Sequence, residues 1–205
     1  PNVDNAHPHN DSDNKFSLIH NGIIENHYSI KEYLISKGVK FKSDTDTEVL
    51  VQFISYIYKK KKLDFYNTVK LVLKEVKGTY GIVVMCIDEP EKLVAAKNGS
   101  PLLIGIGDKE NFLASDASAI LDETRNIFYL EDGEIAEITK EAYKVTHIEH
   151  GQEIIKDIKE IEYSLDQIEK GTFKHFMLKE IYEQPKAIED AIRGRIDLDN
   201  NVKLG

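Results

Sequence analysis

The feature of this sequence that most restricts its fold is a change in the spacing of apolar residues at Gly78. Up to that point the apolar residues recur at helical spacing, which predicts helices over 23–38, 43–60 and 64–78. Beyond it they fall in short runs of extended type, separated by Gly, Pro, Asp and Asn. Clustered helices followed by antiparallel strands are typical of an α+β fold rather than of a parallel βαβ sheet.

The individual strands are predicted from apolar runs bounded by turn-forming residues. The pair Asp132-Gly133 lies between two such runs and predicts a β-hairpin. Residues 1–15 are predicted as loop and residues 115–124 as a short helix capped by Ser115 or Asp116. The predicted strands are 16–20, 39–41, 79–88, 92–98, 102–107, 111–116, 126–139 with the hairpin inside it, and 142–148.

Composition excludes several classes of protein. With 27 basic and 36 acidic residues the net charge is −9, which disfavours binding along a nucleic-acid backbone. No run approaches the length of apolar residues that spans a membrane, and the polar N-terminus lacks the apolar region of a signal peptide. Cys86 is the only cysteine, which fits a reducing compartment and predicts a cytoplasmic protein.

Seven short motifs together resemble the glutaminase domain of the glucosamine-6-phosphate synthase family, the glutamine–fructose-6-phosphate aminotransferases. The resemblance covers almost the whole chain. KEIYEQP is the motif specific to that family, whereas HNG followed by an acidic TDTE motif is shared with other N-terminal-nucleophile amidotransferases. The motifs are NAHPH (5–9), HNGIIENH (20–27), SDTDTEV (43–49), GTYGIVVM (78–85), NGSPLLIG (98–105), LEDGEIAEIT (130–139) and KEIYEQP (179–185).

The resemblance implies a fold and an activity. The fold is the four-layer αββα sandwich of N-terminal-nucleophile hydrolases, here expected to lack its first strands. The activity is hydrolysis of the glutamine side-chain amide without a cofactor. The ammonia released would convert fructose 6-phosphate to glucosamine 6-phosphate in aminosugar synthesis.

Asn21 and Gly22 are the candidate catalytic residues. By resemblance, the Asn21 side-chain amide and the Gly22 backbone N–H form the oxyanion hole of the tetrahedral intermediate, which needs fixed donors near the developing charge. A glycine lets the backbone approach the substrate closely, because no Cβ intervenes. The alternative is an ordinary Asn-Gly turn that joins a strand to a helix.

Asp46 and His7 are the candidate substrate-binding residues. By resemblance, Asp46 accepts the α-ammonium group of glutamine, and His7 supports the pocket close to the oxyanion-hole loop. The alternative for Asp46 is a helix-stabilising acid in the first turn, after a capping box formed by Thr45 and Glu48.

Two further side chains invite a chemical interpretation that the sequence does not favour. His7 and His9 flank Pro8 near two aspartates, but no third ligand is fixed by spacing, so no metal site is predicted. Cys86 lies in a continuous apolar run, where a buried thiol has a raised pKa and is inert. His20 is interpreted as a packing residue at a strand end.

The sequence departs from the family at its first residue. The family's nucleophile is an N-terminal cysteine, whereas this chain begins at Pro1. The segment that grips the glutamine carboxylate is also expected upstream. The chain is therefore interpreted as an N-terminally truncated and inactive part of a glutaminase domain.

The sequence also predicts a division into two parts. Residues 1–150 are assigned to the glutaminase domain and residues 151–205 to a linker and a connector helix into an absent sugar-phosphate isomerase domain. Met177, Ile181, Ile188 and Ile192 form the apolar stripe of that helix, which Pro185 is expected to kink or interrupt.

The expected partners are L-glutamine and the isomerase domain of the same full-length chain, with a homo-oligomer in the full-length enzyme. Neither nucleic acid nor membrane is expected to bind. Two alternatives stay open: another amidotransferase of the amidophosphoribosyltransferase or asparagine synthetase type, and a non-catalytic binding module.

Overall fold

The computed structural model describes residues 3–161 and 173–192. The chain divides into two compact units, Pro1–Ile161 and Glu162–Gly205. Of the α-helices in the described residues, three lie in the first unit and one in the second. They are α1 (His27–Ser36), α2 (Asp46–Lys61), α3 (Phe65–Leu73) and, in the second unit, α4 (Phe176–Ile192).

Every strand lies in the first unit of the described chain, and every pairing is antiparallel. A seven-stranded sheet has the order β1-β2-β3-β4-β8-β9-β10, and a four-stranded sheet has the order β11-β7-β5-β6. The strands are β1 (His9–Asn10), β2 (Phe16–Ile24), β3 (Gly78–Cys86), β4 (Leu93–Asn98), β5 (Leu103–Ile106), β6 (Asn111–Ala114), β7 (Asn126–Tyr129), β8 (Glu134–Ile138), β9 (Tyr143–His147), β10 (Glu153–Ile154) and β11 (Lys159–Glu160).

Two apolar cores hold three layers together. Between the helices and the seven-stranded sheet, Leu18, Ile54 and Ile82 are among the fully buried side chains. On the opposite face of that sheet, Ala136 packs in a second core with Ile104 of the four-stranded sheet. The α+β prediction is confirmed, and the helix–sheet–sheet order corresponds to three layers of the expected sandwich.

The Asn-Gly turn that the sequence offered as an alternative is not formed. Asn21 and Gly22 lie inside β2 and pair with Gly81 and Tyr80 of β3. Gly22 has a φ of +133°, and a Cβ at this position would overlap the Thr79 carbonyl oxygen. The glycine is therefore required by a close approach between two strands rather than by a turn.

The predicted hairpin at Asp132-Gly133 is wrong, although the turn exists. Gly133 has a φ of +79°, as the turn requires. However, β7 before it belongs to the four-stranded sheet and β8 after it to the seven-stranded sheet. The turn thus carries the chain from one sheet to the other, where β7 pairs with β5 and β8 pairs with β4.

Other boundaries also moved. Residues 39–41 are not a strand, and the predicted helix at 115–124 is reduced to a single 3-10 turn, Ala117–Ala119. Part of the predicted linker, β10 and β11, pairs with the two sheets, so the first unit continues to Ile161. Residues 162–172 of that linker lie outside the described residues.

Helix α4 continues through Pro185 rather than breaking there. No helix in the described ranges combines the length and apolar character needed to cross a bilayer.

Substitution of Gly22 tests the close approach of β2 to β3. We expect Gly22→Ala to lower the free energy of unfolding by more than about 3 kcal/mol, because the methyl group adds steric overlap to an unfavourable φ. Gly38 is the matched control, since its φ is +87° but its Cβ would meet open space. Gly38→Ala should cost only about 1–2 kcal/mol. Chemical denaturation of both variants measures the difference, and equal losses would contradict the steric argument.

Removal of residues 174–205 tests whether the first unit folds alone. In the second unit, Met177, Ile181 and Ile188 of α4 are more than half exposed. We expect the shortened chain to keep the cooperative melting transition of the sheets, because the two cores lie within the first unit. Calorimetry of both chains provides the measurement, and a loss of the transition would show that the helix is needed for the fold of the first unit.

Candidate functional site

The candidate site is built on an open edge of β2. Strand β1 pairs with Ser17 and Leu18 of β2, and the described structure places no strand beside the rest of that edge. The backbone N–H of Ile24 points out of this edge and donates to Asp46 Oδ2 at 2.7 Å. Because N–H directions alternate along a strand, the N–H of Gly22 faces the same open edge.

Asp46 reaches this edge because it is the first residue of α2. Thr45 is the N-cap, and its hydroxyl accepts from the Glu48 N–H at 3.1 Å. The reciprocal half of the predicted capping box is absent, since the Glu48 carboxylate instead accepts from the backbone N–H groups of Lys42 and Ser43. Burial raises the pKa of Glu48, but these hydrogen bonds outweigh it and lower the pKa overall.

His20 lies behind Asp46 and is 5% exposed. Burial lowers its pKa, and the coulombic effect of Asp46 only partly opposes this, so the imidazole is neutral at pH 7. Its Nε2 lies 3.4 Å from the Thr79 carbonyl oxygen, which can only accept. The single proton of the neutral ring is therefore assigned to Nε2, and Nδ1 becomes an acceptor.

The buried hydroxyl of Thr47 connects the residues of the site. Its Oγ1 lies 3.1 Å from Nδ1 of His20, 3.1 Å from Nε2 of His7 and 3.4 Å from Oδ1 of Asp46. A hydroxyl has one proton to donate, and two acceptors face it, Nδ1 of His20 and, at the longer distance, Oδ1 of Asp46. Asp46 Oδ1 therefore receives at most a long, shared hydrogen bond from Thr47.

The two oxygens of Asp46 therefore have different surroundings. Oδ2 accepts from Ile24 at 2.7 Å, whereas Oδ1 shares the hydroxyl of Thr47 at 3.4 Å and lies 3.9 Å from the acceptor nitrogen of His20. The Asp46 side chain is 21% exposed, so a solute can reach it. The geometry therefore offers a carboxylate oxygen that is suited to a cationic donor.

The two N-terminal histidines have different surroundings. His7 is exposed, and its ring meets the edge of the His9 ring with 5.3 Å between centroids. His9 is buried, and its Nε2 lies 3.1 Å from the capping hydroxyl of Thr45. Burial, followed by the charge of His7, lowers the pKa of His9. The described residues contain no cluster of three or more potential metal ligands.

Asn21 occupies the other face of β2. Its side chain is exposed together with those of Ile19 and Ile23, whereas Leu18 and His20 alternate with them toward the helices. The structure therefore brings His7 and Asp46 into one hydrogen-bonded cluster. Asn21 and Gly22 lie on the strand that borders this cluster, at its open edge.

Cys86 lies at the far end of the β2–β3 pairing. It is 2% exposed, and burial raises the pKa of its thiol. It pairs with Phe16, whereas Asn21 pairs with Gly81. The interpretation of Cys86 as a core residue rather than a nucleophile is consistent with this position.

Sequence reasoning did not identify Thr47 and His20 as parts of the site. Both lie inside motifs that were recognised, SDTDTEV and HNGIIENH, but neither carries a signal that separates a site residue from a packed one. The sequence alone does not show that His20 and Thr47 are in contact. The distance between them in the structure assigns both residues to the site.

Comparisons with known proteins identify the family of this chain. A family model described as a glutamine amidotransferase domain matches residues 3–122, more than half of the chain. The chain is 50% identical over 202 residues to glutamine–fructose-6-phosphate aminotransferase (isomerizing) of Bacteroides thetaiotaomicron, covering 98% of this chain and 33% of that protein. The enzyme of the same name from Chlorobaculum tepidum is 47% identical, covering 100% of this chain and 34% of that protein. The chain thus spans about a third of the length of the curated relatives it matches.

A solved structure extends the likeness to the fold. The glutamine phosphoribosylpyrophosphate amidotransferase of Bacillus subtilis superposes with a TM-score of 0.60 at 26% identity, covering 73% of this chain and 33% of that one. The family match and the fold agree with each other, and the chain belongs to the glutamine amidotransferase family.

Proposed function

We propose that this chain is the glutamine-hydrolysing part of a glutamine–fructose-6-phosphate aminotransferase. The observation that carries the proposal is the open edge of β2, where the N–H of Gly22 and the available oxygen of Asp46 face the same side. Glutamine presents an amide carbonyl at one end and an ammonium group at the other. A site that binds it therefore needs a hydrogen-bond donor near the carbonyl and an anion near the ammonium group.

The spacing of these groups matches the substrate. Gly22 and Ile24, whose N–H holds Asp46, are two residues apart, which is about 7 Å along a strand. The four bonds from the α-nitrogen of glutamine to its amide carbon span roughly 5 Å when extended. The extended molecule is therefore shorter than the separation of the two groups along the strand and can lie between them. Asn21, adjacent to Gly22, is the second donor of the proposed oxyanion hole.

The helix-stabilising role of Asp46 is compatible with substrate binding. Its charge in the first turn of α2 is worth about 0.3–1 kcal/mol against the helix dipole. The same orientation holds Oδ2 on Ile24 and leaves Oδ1 for the ammonium group. His7 supports this arrangement through Thr47 rather than by contacting the substrate itself.

The nucleophile of the proposed reaction is a cysteine outside these 205 residues, because the only thiol of this chain is buried away from the edge. By the same proposal, α4 leads into a sugar-phosphate isomerase domain that uses the ammonia. The full-length enzyme is a cytoplasmic homo-oligomer. The relatives at 45–50% identity support the aminosugar reaction over that of the phosphoribosyl enzyme, which is 26% identical.

Substitution of Asn21 in the full-length enzyme tests the oxyanion hole. We expect Asn21→Ala to lower kcat for glutamine hydrolysis by about 10²–10³, the usual effect of removing one oxyanion donor. KM should change little, because the interaction strengthens in the transition state. Asn126→Ala makes the same chemical change on an exposed residue of β7 and should leave both constants unchanged. An effect of Asn21→Ala confined to KM would reject the assignment.

Substitution of Asp46 tests recognition of the ammonium group. We expect Asp46→Asn to raise KM for glutamine at least about tenfold, since a charge-assisted hydrogen bond is lost. The fold should persist, because the amide oxygen can still accept from Ile24.

Asp44→Asn is the control for the loss of charge. It removes one negative charge from an exposed residue of the same acidic motif and should leave KM unchanged. Steady-state kinetics and a melting curve on both variants provide the measurements. Lost stability with unchanged kinetics for Asp46→Asn would assign the residue to helix capping alone.

A further inference from the structure

A second concave site lies beside α2 and is distinct from the proposed glutamine site. It is a cleft of about 370 Å³ between the turn that ends α1 and the part of α2 from Gln52 to Lys59. We call it the lysine cleft after Lys37, Lys40 and Lys59, which line it together with Ser12, Gln52 and Tyr56. It shares no lining residue with the cluster around Asp46.

The charge of the cleft is opposite to that of the chain. The chain has a net charge of −9, yet the residues that line the cleft include three lysines and no acidic residue. Lys59 is paired with Asp13 at the rim. Within the described part of the chain no carboxylate pairs with Lys37, whose ammonium lies 5.4 Å from the ring centre of Tyr33, or with Lys40. Two ammonium groups thus retain donors for a ligand.

Two buried carboxylates, Asp11 and Glu48, lie beneath the polar floor of the cleft, and both are held by hydrogen bonds. Gln52 and Ser12 bond to each other through side chain and backbone, at 2.9–3.2 Å. Ser55 donates to the buried carboxylate of Asp11, which also accepts from the backbone N–H groups of Lys15 and Phe16. These groups satisfy one another, so recognition of a ligand depends on the lysines at the walls.

Flexible ammonium groups recognise an anion as a point charge rather than by a planar bidentate contact. A phosphate group, which carries close to two negative charges at pH 7, suits two such groups better than a single carboxylate does. The volume lies at the lower end of the range for small-molecule pockets. We propose that the lysine cleft binds a small phosphate-bearing molecule through Lys37 and Lys40.

The test uses pyrophosphate as the probe and the 205-residue chain as the protein. Titration at constant ionic strength, followed by ¹⁵N–¹H NMR, should show saturable shifts of the amides of Gly38, Val39 and Tyr56. The double variant Lys37→Ala, Lys40→Ala should bind at least about tenfold more weakly, a change of about 1.4 kcal/mol. Both lysines are exposed, so the melting temperature should be unchanged.

The control variant Lys74→Ala, Lys77→Ala makes the same change in net charge on exposed lysines outside the cleft. It should keep the affinity within about twofold, since distant surface charges are screened. An equal loss in both double variants would show attraction to overall charge and overturn the proposal. Shifts that do not saturate, or that fall outside the cleft, would overturn it as well. The proposal does not depend on glutamine hydrolysis.

Discussion

The backbones of β2 and β3 approach each other closely at Gly22 and Gly78, and neither position has room for a Cβ. A Cβ on Gly22 would overlap the carbonyl oxygen of Thr79, and a Cβ on Gly78 would overlap that of Ile23. The two glycines let nine residues of β2 pair with β3 up to the point where α2 begins to cover the sheet. Because the ladder continues this far, the N–H groups of Gly22 and Ile24 face an edge that α2 reaches with its first carboxylate.

The ability of Asp46 to accept a further hydrogen bond depends on where the protons of His20 and Thr47 lie. Thr79 fixes the proton of His20, Nδ1 of His20 competes with Asp46 for the proton of Thr47, and Oδ1 of Asp46 is left with a long, shared donor. Lowering of the His20 pKa by burial keeps this order in place at pH 7. A charged His20 would donate at both nitrogens and release the Thr47 proton to Asp46. The neutral state is therefore the one that keeps the carboxylate available to a cation.

Much of this architecture could be predicted from the sequence, because apolar spacing reports which face of an element is buried. The three N-terminal helices, the antiparallel strands and the buried Cys86 follow from that pattern. Local turn signals were less informative. Asn21-Gly22 and Asp132-Gly133 both have the composition of a turn, yet the first lies inside a strand and the second connects two sheets. A glycine indicates that an unusual backbone conformation or a close backbone approach is needed, and the tertiary contacts decide between the two.

The sequence predicted only those site residues to which the recognised motifs assign a role. Asp46 and His7 were named from motifs that lie about 40 residues apart, and the structure joins them through Thr47. Thr47 has a hydroxyl of no special sequence context, so its role depends on three distances that no spacing encodes. His20 was interpreted as a packing residue, and its burial agrees with that interpretation. Its hydrogen bond with Thr47 was not predicted.

The open edge of β2 also has a consequence for colloidal behaviour. An unpaired strand edge is a template for another strand, and proteins usually protect such edges with charge or a covering segment. Here the described edge beyond Leu18 carries Ile19 and Ile23, which are 47% and 64% exposed. Asp46 places a charge beside it through the contact with Ile24. The same edge that faces Asp46 is therefore open to pairing with a strand of another molecule at high concentration, and a ligand bound along the strand would block that pairing.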